Sequence, residues 1–200
     1  FKGSGGFQIN DDATKIIGLA NDSGKSSLLS DAQTVFASNA TFEEAVTLTE
    51  TGGLYHQGGV SLSVDLQSTA ETKAKTGFLN VAEAKAYVLT NDYSANQEIG
   101  YRIEDTYQKI NAEKGSPLLS NTKGLTGSSG DDLRAIAETI AEAVALSQPV
   151  SDAKDVVQGG VISSYSVSSS IASSDYKDLS VREFAAVNGA SNNSSVKSKV

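Results

Sequence analysis

The chain repeats itself, and the repeat limits what it can fold into more than any other feature of its sequence. Residues 7–16 (FQINDDATKI) line up with 101–110 (YRIEDTYQKI), 26–30 (SSLLS) with 116–120 (SPLLS), and 41–48 (TFEEAVTL) with 139–146 (TIAEAVAL). Residues 57–60 (QGGV) recur at 158–161, and 79–83 (LNVAE) recur at 179–183 as LSVRE. The five offsets are 94, 90, 98, 101 and 100, in unbroken order along the 200 residues. Short Ala/Ser/Gly strings recur freely. Five collinear matches that drift by only a few residues instead point to tandem duplication of a unit of about 95 residues. A unit of that size buries only about two-thirds of its chain surface, so each copy gains by packing on its twin or on a partner.

The two copies check each other's local structure. In copy two the first block predicts a helix, with Ile99, Ile103, Tyr107 and Ile110 on one face. Glu98–Arg102 and Asp105–Lys109 are spaced for supporting ion pairs along it. Residues 131–147 predict a second helix, with Leu133, Ile136, Ala137, Ile140 and Val144 on one stripe and Asp131 and Asp132 at its positive end. Its counterpart in copy one starts at Thr41, with Glu44 in capping-box position. After each Gln-Gly-Gly comes a half-buried strand: Val60, Leu62, Val64 and Leu66 alternate with polar residues, and Tyr165 and Val167 keep the pattern in copy two. A last short helix follows in each copy, opened by Asn80 with Glu83 and by Ser180 with Glu183. The expected fold class is mainly α with a minor β component (α+β). Two homologous helical units with short strands and long polar loops are expected at 1–94 and 95–190, with a polar tail at 191–200.

Composition narrows the function classes. The chain has no Trp, Met or Cys and only six Phe and seven Tyr, so its core must be built largely from Ala, Leu, Ile and Val. The net charge is −8 and neither half is basic, which makes nucleic acid and anionic membranes poor partners. No run approaches the roughly 18 apolar residues of a membrane span. Without cysteine there is no disulfide framework and no thiolate chemistry. A chain that starts at Phe1 and contains no Met is expected to be a processed product or a fragment, compatible with an organelle such as a plastid or with secretion.

The nearest thing to a chemical motif is residues 16–26 (IIGLANDSGKS). A phosphate-binding loop needs glycine five positions before its Gly-Lys pair, so that backbone N–H groups curl round the phosphates. Leu19 stands at that position and Asp22 adds negative charge, so a simple turn is expected there. His56 is the single histidine and forms no metal site by itself. The carboxylate pairs Asp11/Asp12, Glu43/Glu44 and Asp131/Asp132 are adjacent in sequence and do not face each other across a pocket, as paired acid–base catalysis requires. No catalytic residue, metal site or cofactor site is assigned.

Two equivalent units on one chain suit a protein that engages two equivalent surfaces, the second contact benefiting from high effective concentration. The expected function is therefore that of a non-enzymatic structural or linker subunit, with other protein subunits of a large complex as partners. Contacts are expected from Tyr55, His56, Tyr101, Tyr107, Tyr165 and Phe184, because aromatic residues anchor interfaces. The duplicated plan resembles the gamma-type linker subunits of red-algal phycobilisomes. That resemblance, which is one of architecture, implies a helical linker in a plastid light-harvesting antenna; the chain departs from that family in being acidic and in having no Cys to carry a bilin. A virion or extracellular-filament protein is one alternative, and a small-ligand binder or enzyme with its site between the copies is another.

Overall fold

The computed structural model describes residues 6–50, 54, 61–95, 100–122, 133–147 and 162–194. They fall into two compact units. The first comprises residues 1–77 and 82–100, and the second comprises 78–81 and 101–200.

In the first unit, strand β1 (Gln8–Asp12) leads into helices α1 (Ala13–Asn21) and α2 (Ser26–Asp31). Strand β2 (Thr34–Ala40) leads into α3 (Phe42–Thr49), and β3 (Ser61–Leu66) into α4 (Ser68–Thr76). Helices α5 (Val81–Tyr87) and α6 (Asn91–Ala95) follow, Val81 itself belonging to the second unit. The strands are parallel in the order β1-β2-β3, with Gln8 paired to Thr34 and Thr34 to Ser61. Sequential parallel strands joined by crossovers of one hand place their helices on the same face. Accordingly, α1 packs against α3.

The second unit follows the same plan. Strand β4 (Ile103–Thr106) precedes α7 (Tyr107–Ala112) and α8 (Pro117–Ser120), and β5 (Leu133–Ala137) precedes α9 (Ile140–Leu146). Strand β6 (Ser164–Val167), a 3-10 turn (Ser173–Tyr176) and α10 (Val181–Gly189) complete it. The sheet is again parallel, in the order β4-β5-β6, and α9 packs on α10.

Several of the helices are positioned by the step from an extended stretch to helix. An extended cap residue (Asp12, Thr41, Gln67, Thr106, Thr139 or Ser180) ends or follows each strand-like stretch, and the next residue starts the helix. In four of these helices the fourth residue points back at the sheet, whereas in α4 it is Glu71 and in α10 the exposed Phe184. Ile16, Ala45, Ile110 and Ala143 occupy that position and are 0% exposed, as is Ala84 in α5. They meet the inward-facing strand residues Val35, Ala37, Val64, Ile103, Leu133, Ala135 and Ala137, all buried. Each larger aliphatic side chain so buried stabilises the fold by about 1.5–3 kcal/mol. Between Ala37 and Ala40 the β2–β3 register shifts, with Asn39 at φ 57°, a left-handed conformation that Asn tolerates better than most residues. The bulge turns both Ala37 and Ala40 inward.

The fold class is thus mixed α/β with two small parallel sheets, and helix outweighs strand as expected. Three local readings need correction. The first block is not one helix in either copy: β1 and β4 occupy its start, and the helices begin at Ala13 and Tyr107. Ile103 and Ile110 do both face the core, but one from a strand and the other from a helix, so a 3.6-residue spacing arose across a junction. Residues 133–137 are likewise strand, with Leu133, Ala135 and Ala137 alternating inward, and the helix begins only at Ile140. The Asp105–Lys109 pair forms at 3.2 Å, spanning that same kind of junction. Strand β2 was not foreseen. The strands after the Gln-Gly-Gly motifs and the helix starts signalled by Thr41, Asn80 and Ser180 lie where expected, while Val60, Glu98, Ile99, Asp131 and Asp132 fall outside the described residues.

Thr41 and Glu44 form a capping box: the Glu44 N–H donates to Thr41 Oγ1 at 3.1 Å, and the Thr41 N–H donates to Glu44 Oε2 at 2.9 Å. Thr14 also donates to Glu44, at 2.5 Å, and with the Thr41 N–H holds the Glu44 carboxyl below its usual value. A depressed carboxyl stabilises the fold above its unfolded value and loses that contribution as pH falls through the folded one. Thr41→Ala is expected to lower unfolding stability by about 1 kcal/mol in urea titrations at neutral pH. Glu44→Gln is expected to narrow the gap between neutral and acid stability measured in the same way.

Candidate interaction surfaces

A three-stranded sheet has two edges, and their treatment distinguishes the surfaces of this chain. On β3 the outer edge is closed by α6, where Asp92 Oδ2 accepts the Leu66 N–H at 2.7 Å. Beside it, the Asn91 amide donates to Ser63 Oγ at 2.5 Å and to Asp65 Oδ1 at 2.7 Å. On β6 the chain leaving α10 returns along the strand. The Ser191 N–H donates to Tyr165 O at 2.8 Å, and the Asn192 side chain accepts from the Val167 N–H at 2.9 Å and donates to Val167 O at 2.7 Å. That amide stands in for one peptide unit of a neighbouring strand. On β4 the outer edge is occupied by Phe78–Val81, through a parallel bridge between Leu79 and Ile103. The Phe78 ring lies against the guanidinium groups of both Arg102 and Arg134, at 4.3 and 4.1 Å. β1 pairs with β2 on one side, and among the described residues no such closure lies on its other side.

A second surface lies at the end of the second unit. Val181 is 88% exposed and Phe184 49%, both on α10, whose Ala186 and Val187 are buried against Ala143 and Ile171. A shallow depression of about 540 Å³ runs beside them, lined by Leu146, Tyr165, Arg182, Ala185 and Gly189 among others. The Tyr165 hydroxyl donates to Ala186 O at 2.7 Å, and burial pushes its pKa up. A Cβ at position 189 would stand 3.1 Å from that hydroxyl, so Gly189 is what lets it approach. At the start of α10, Ser180 and Glu183 form a capping box, and the Ser180 hydroxyl and N–H hold the Glu183 carboxyl below its usual value.

The sheet faces turned away from the helices carry rows of mostly polar side chains. Gln8, Thr34 and Ser61 form one row and Asn10, Phe36 and Ser63 another; in the second unit Glu104, Arg134 and Ser164 align. Arg134 and Glu104 approach to 3.8 Å, and no group of His, Asp and Glu suited to a metal ion occurs among the described residues.

The residues expected to contact partners fare unequally. Tyr101 is buried, 2% exposed, with its hydroxyl donating to Leu118 O at 2.6 Å, which places it in the core. Tyr107 and Tyr165 are half-buried, and Phe184 is exposed. Tyr55 and His56 lie outside the described residues. The Gly-Lys segment is a turn: Asp22 Oδ1 accepts the Gly24 N–H at 2.9 Å and Asp22 pairs with Lys25 at 3.0 Å, so a carboxylate takes the donors a phosphate would need. Sequence reasoning missed Leu79, Asp105 and Val181. The aligned blocks contain all three, but without a strand at β4 there was no edge for them to define.

Comparison with known protein families, characterised proteins and solved structures finds no match.

Asp105 is the most deeply placed of the acidic groups here, 7% exposed, and its Oδ2 accepts the Val81 N–H at 3.0 Å. Removing the acceptor leaves that buried N–H unpaired, at a cost of about 1–3 kcal/mol. Asp105→Ala is expected to lose about that much in denaturant titration, while the exposed Asp11→Ala is expected to change stability little.

Proposed function

We propose that this chain is a non-enzymatic structural subunit, built from two homologous units of strand-to-helix steps, that organises protein partners in a large assembly. The observation that carries the reading is the strand order. In open α/β sheets ligands bind where the order reverses and a crevice opens at the strand ends. The orders β1-β2-β3 and β4-β5-β6 run straight through, so neither sheet contains a reversal. Sequential addition of one step after another is the organisation of repeat proteins, which present extended surfaces.

The homology of the units draws support from element order as well as from the aligned blocks. Strands β1, β2 and β3 start at Gln8, Thr34 and Ser61, and β4, β5 and β6 at Ile103, Leu133 and Ser164. The capping boxes at Thr41 and Ser180 and the Thr139 cap fall within aligned blocks. The edge closures at Leu66 and Val167 use Asp92 and Asn192, which stand 100 residues apart.

A linker of a light-harvesting antenna is the most concrete version, and it rests on the architectural resemblance alone. The native mass of the particle that contains this chain, sized from its source without denaturant, tests the structural reading. A particle far above 20.7 kDa is expected, and visible absorbance in the same peak distinguishes the antenna version. A lone species near the chain mass would overturn the structural reading.

A further inference from the structure

We propose that a second copy of this chain docks head to tail, its Leu179–Val181 turn adding to the open edge of β1. This inference rests on the structural reading above and names one partner for it.

The template is present within the second unit. There, Leu79 lies parallel to β4: its N–H donates to Arg102 O and its carbonyl accepts from the Glu104 N–H, both at 2.9 Å. Two residues on, the Val81 N–H donates to Asp105 Oδ2. Under this cover Leu79 and Ile103 are 0% exposed, Val81 6% and Asp105 7%.

Strand β1 repeats the receiving half of this arrangement at an offset of 94: Ile9 for Ile103, Asp11 for Asp105, Lys15 for Lys109. The local bonding matches. Asp11 Oδ1 accepts the Asp12 N–H at 2.9 Å and Lys15 Nζ at 2.8 Å; Asp105 Oδ1 accepts the Thr106 N–H at 2.8 Å and pairs with Lys109 at 3.2 Å. The cover is what differs. Ile9 is only half-buried, the Asp11 side chain is 39% exposed, and Asp11 Oδ2 has no partner among the described residues. Because Phe7 O accepts the Gln33 N–H, strand alternation turns Phe7, Ile9 and Asp11 towards β2 and the peptide groups of Gln8 and Asn10 outwards. Those are the counterparts of Arg102 and Glu104.

The inserting half also recurs, at an offset of 100. Leu179-Ser180-Val181 repeats Leu79-Asn80-Val81, and Val181 is 88% exposed where Val81 is 6%. Among the described residues, α10 in the second unit leaves an apolar residue in water, and β1 in the first unit has an outer edge with no strand on it and a carboxylate oxygen with no partner. Arg182 follows Val181 in the chain and carries charge opposite to Asp11 and Asp12. The contact is heterologous, so it generates a chain of copies or a ring. One element is not reproduced: Phe78, held between two arginines, corresponds to Asp178, with Gln8 and Phe36 where Arg102 and Arg134 stand. The joint between copies is therefore weaker than its template, and association is reversible.

Sedimentation velocity of the purified full chain over rising concentration tests this. A ladder of multiples of 20.7 kDa, or one closed ring, is expected. Val181→Asp, at an exposed position, is expected to weaken association by at least about tenfold, because it sets a carboxylate against Asp11. Asp11→Lys is expected to do the same from the other side, with circular dichroism confirming that both variants stay folded. Mixing the two variants is the sharpest step. Each keeps one intact half, and the two introduced charges are opposite where the altered halves meet, so the mixture is expected to associate where neither variant does so alone. A purified chain that is monomeric throughout, or whose ladder ignores Val181→Asp, overturns the inference and leaves the β1 edge to another segment or a foreign partner. If the native particle is nonetheless large and contains other polypeptides, the structural reading stands without it.

Discussion

The backbone groups at the edge of a parallel sheet stay open to pairing, and much of this molecule can be understood from how each edge is treated. An unpaired edge of N–H and C=O groups invites another strand, and proteins close such edges with side chains, short strands or covering segments. Here three different devices do it: the carboxylate of Asp92 on β3, the amide of Asn192 on β6, and a short stretch of chain, Leu79, on β4. The amide is the most complete of the side-chain devices, since it supplies both an acceptor and a donor where a carboxylate supplies acceptors alone. Val167 is accordingly satisfied at both its N–H and its carbonyl, and Leu66 at its N–H.

The small side chains of the core follow from the same plan. When each strand runs directly into a helix that folds back over the sheet, the fourth helical residue approaches the strand closely. Alanine or isoleucine fills that position at Ala45, Ala84, Ala143, Ile16 and Ile110, and alanine also lines the strands at Ala37, Ala40, Ala135 and Ala137. Tyr87, fully buried, packs edge-on against Phe42 at 6.5 Å and Tyr93 at 5.4 Å, and burial together with the nearby Asp92 pushes its hydroxyl up to about 12. A composition poor in aromatic residues is thus no sign of a missing core. It reflects helices that lie close to the sheet.

How much of this could be read from sequence depended on which period a segment displayed. Ser61–Leu66 alternates cleanly and was legible as a strand; Thr41 with Glu44 and Ser180 with Glu183 announce helix starts through a local interaction that needs no tertiary context. Strands β1, β4 and β5 were not legible, because each is four or five residues long and joins its helix within two residues, so inward residues of strand and helix fall into a false helical spacing. The aligned blocks held the edge residues Asp11 and Asp105, Val81 and Val181, but their meaning is relational. Only the exposure of each against its counterpart, set by what lies over β1 and over β4, separates a satisfied position from an open one.

That asymmetry also gives the molecule a direction. A surface that pairs with itself must be its own complement, which the β1 edge and the Leu179–Val181 turn are not: one presents an acceptor and a strand edge, the other an apolar side chain and a helix N–H. Each half complements the other, so any assembly they make has a head and a tail. The bonds on β3 and β6 bear on this, because the Leu66 N–H taken by Asp92 and the Val167 groups taken by Asn192 are not free for a neighbouring strand. On the head-to-tail proposal, those bonds lessen the pairings that would compete with growth in one direction.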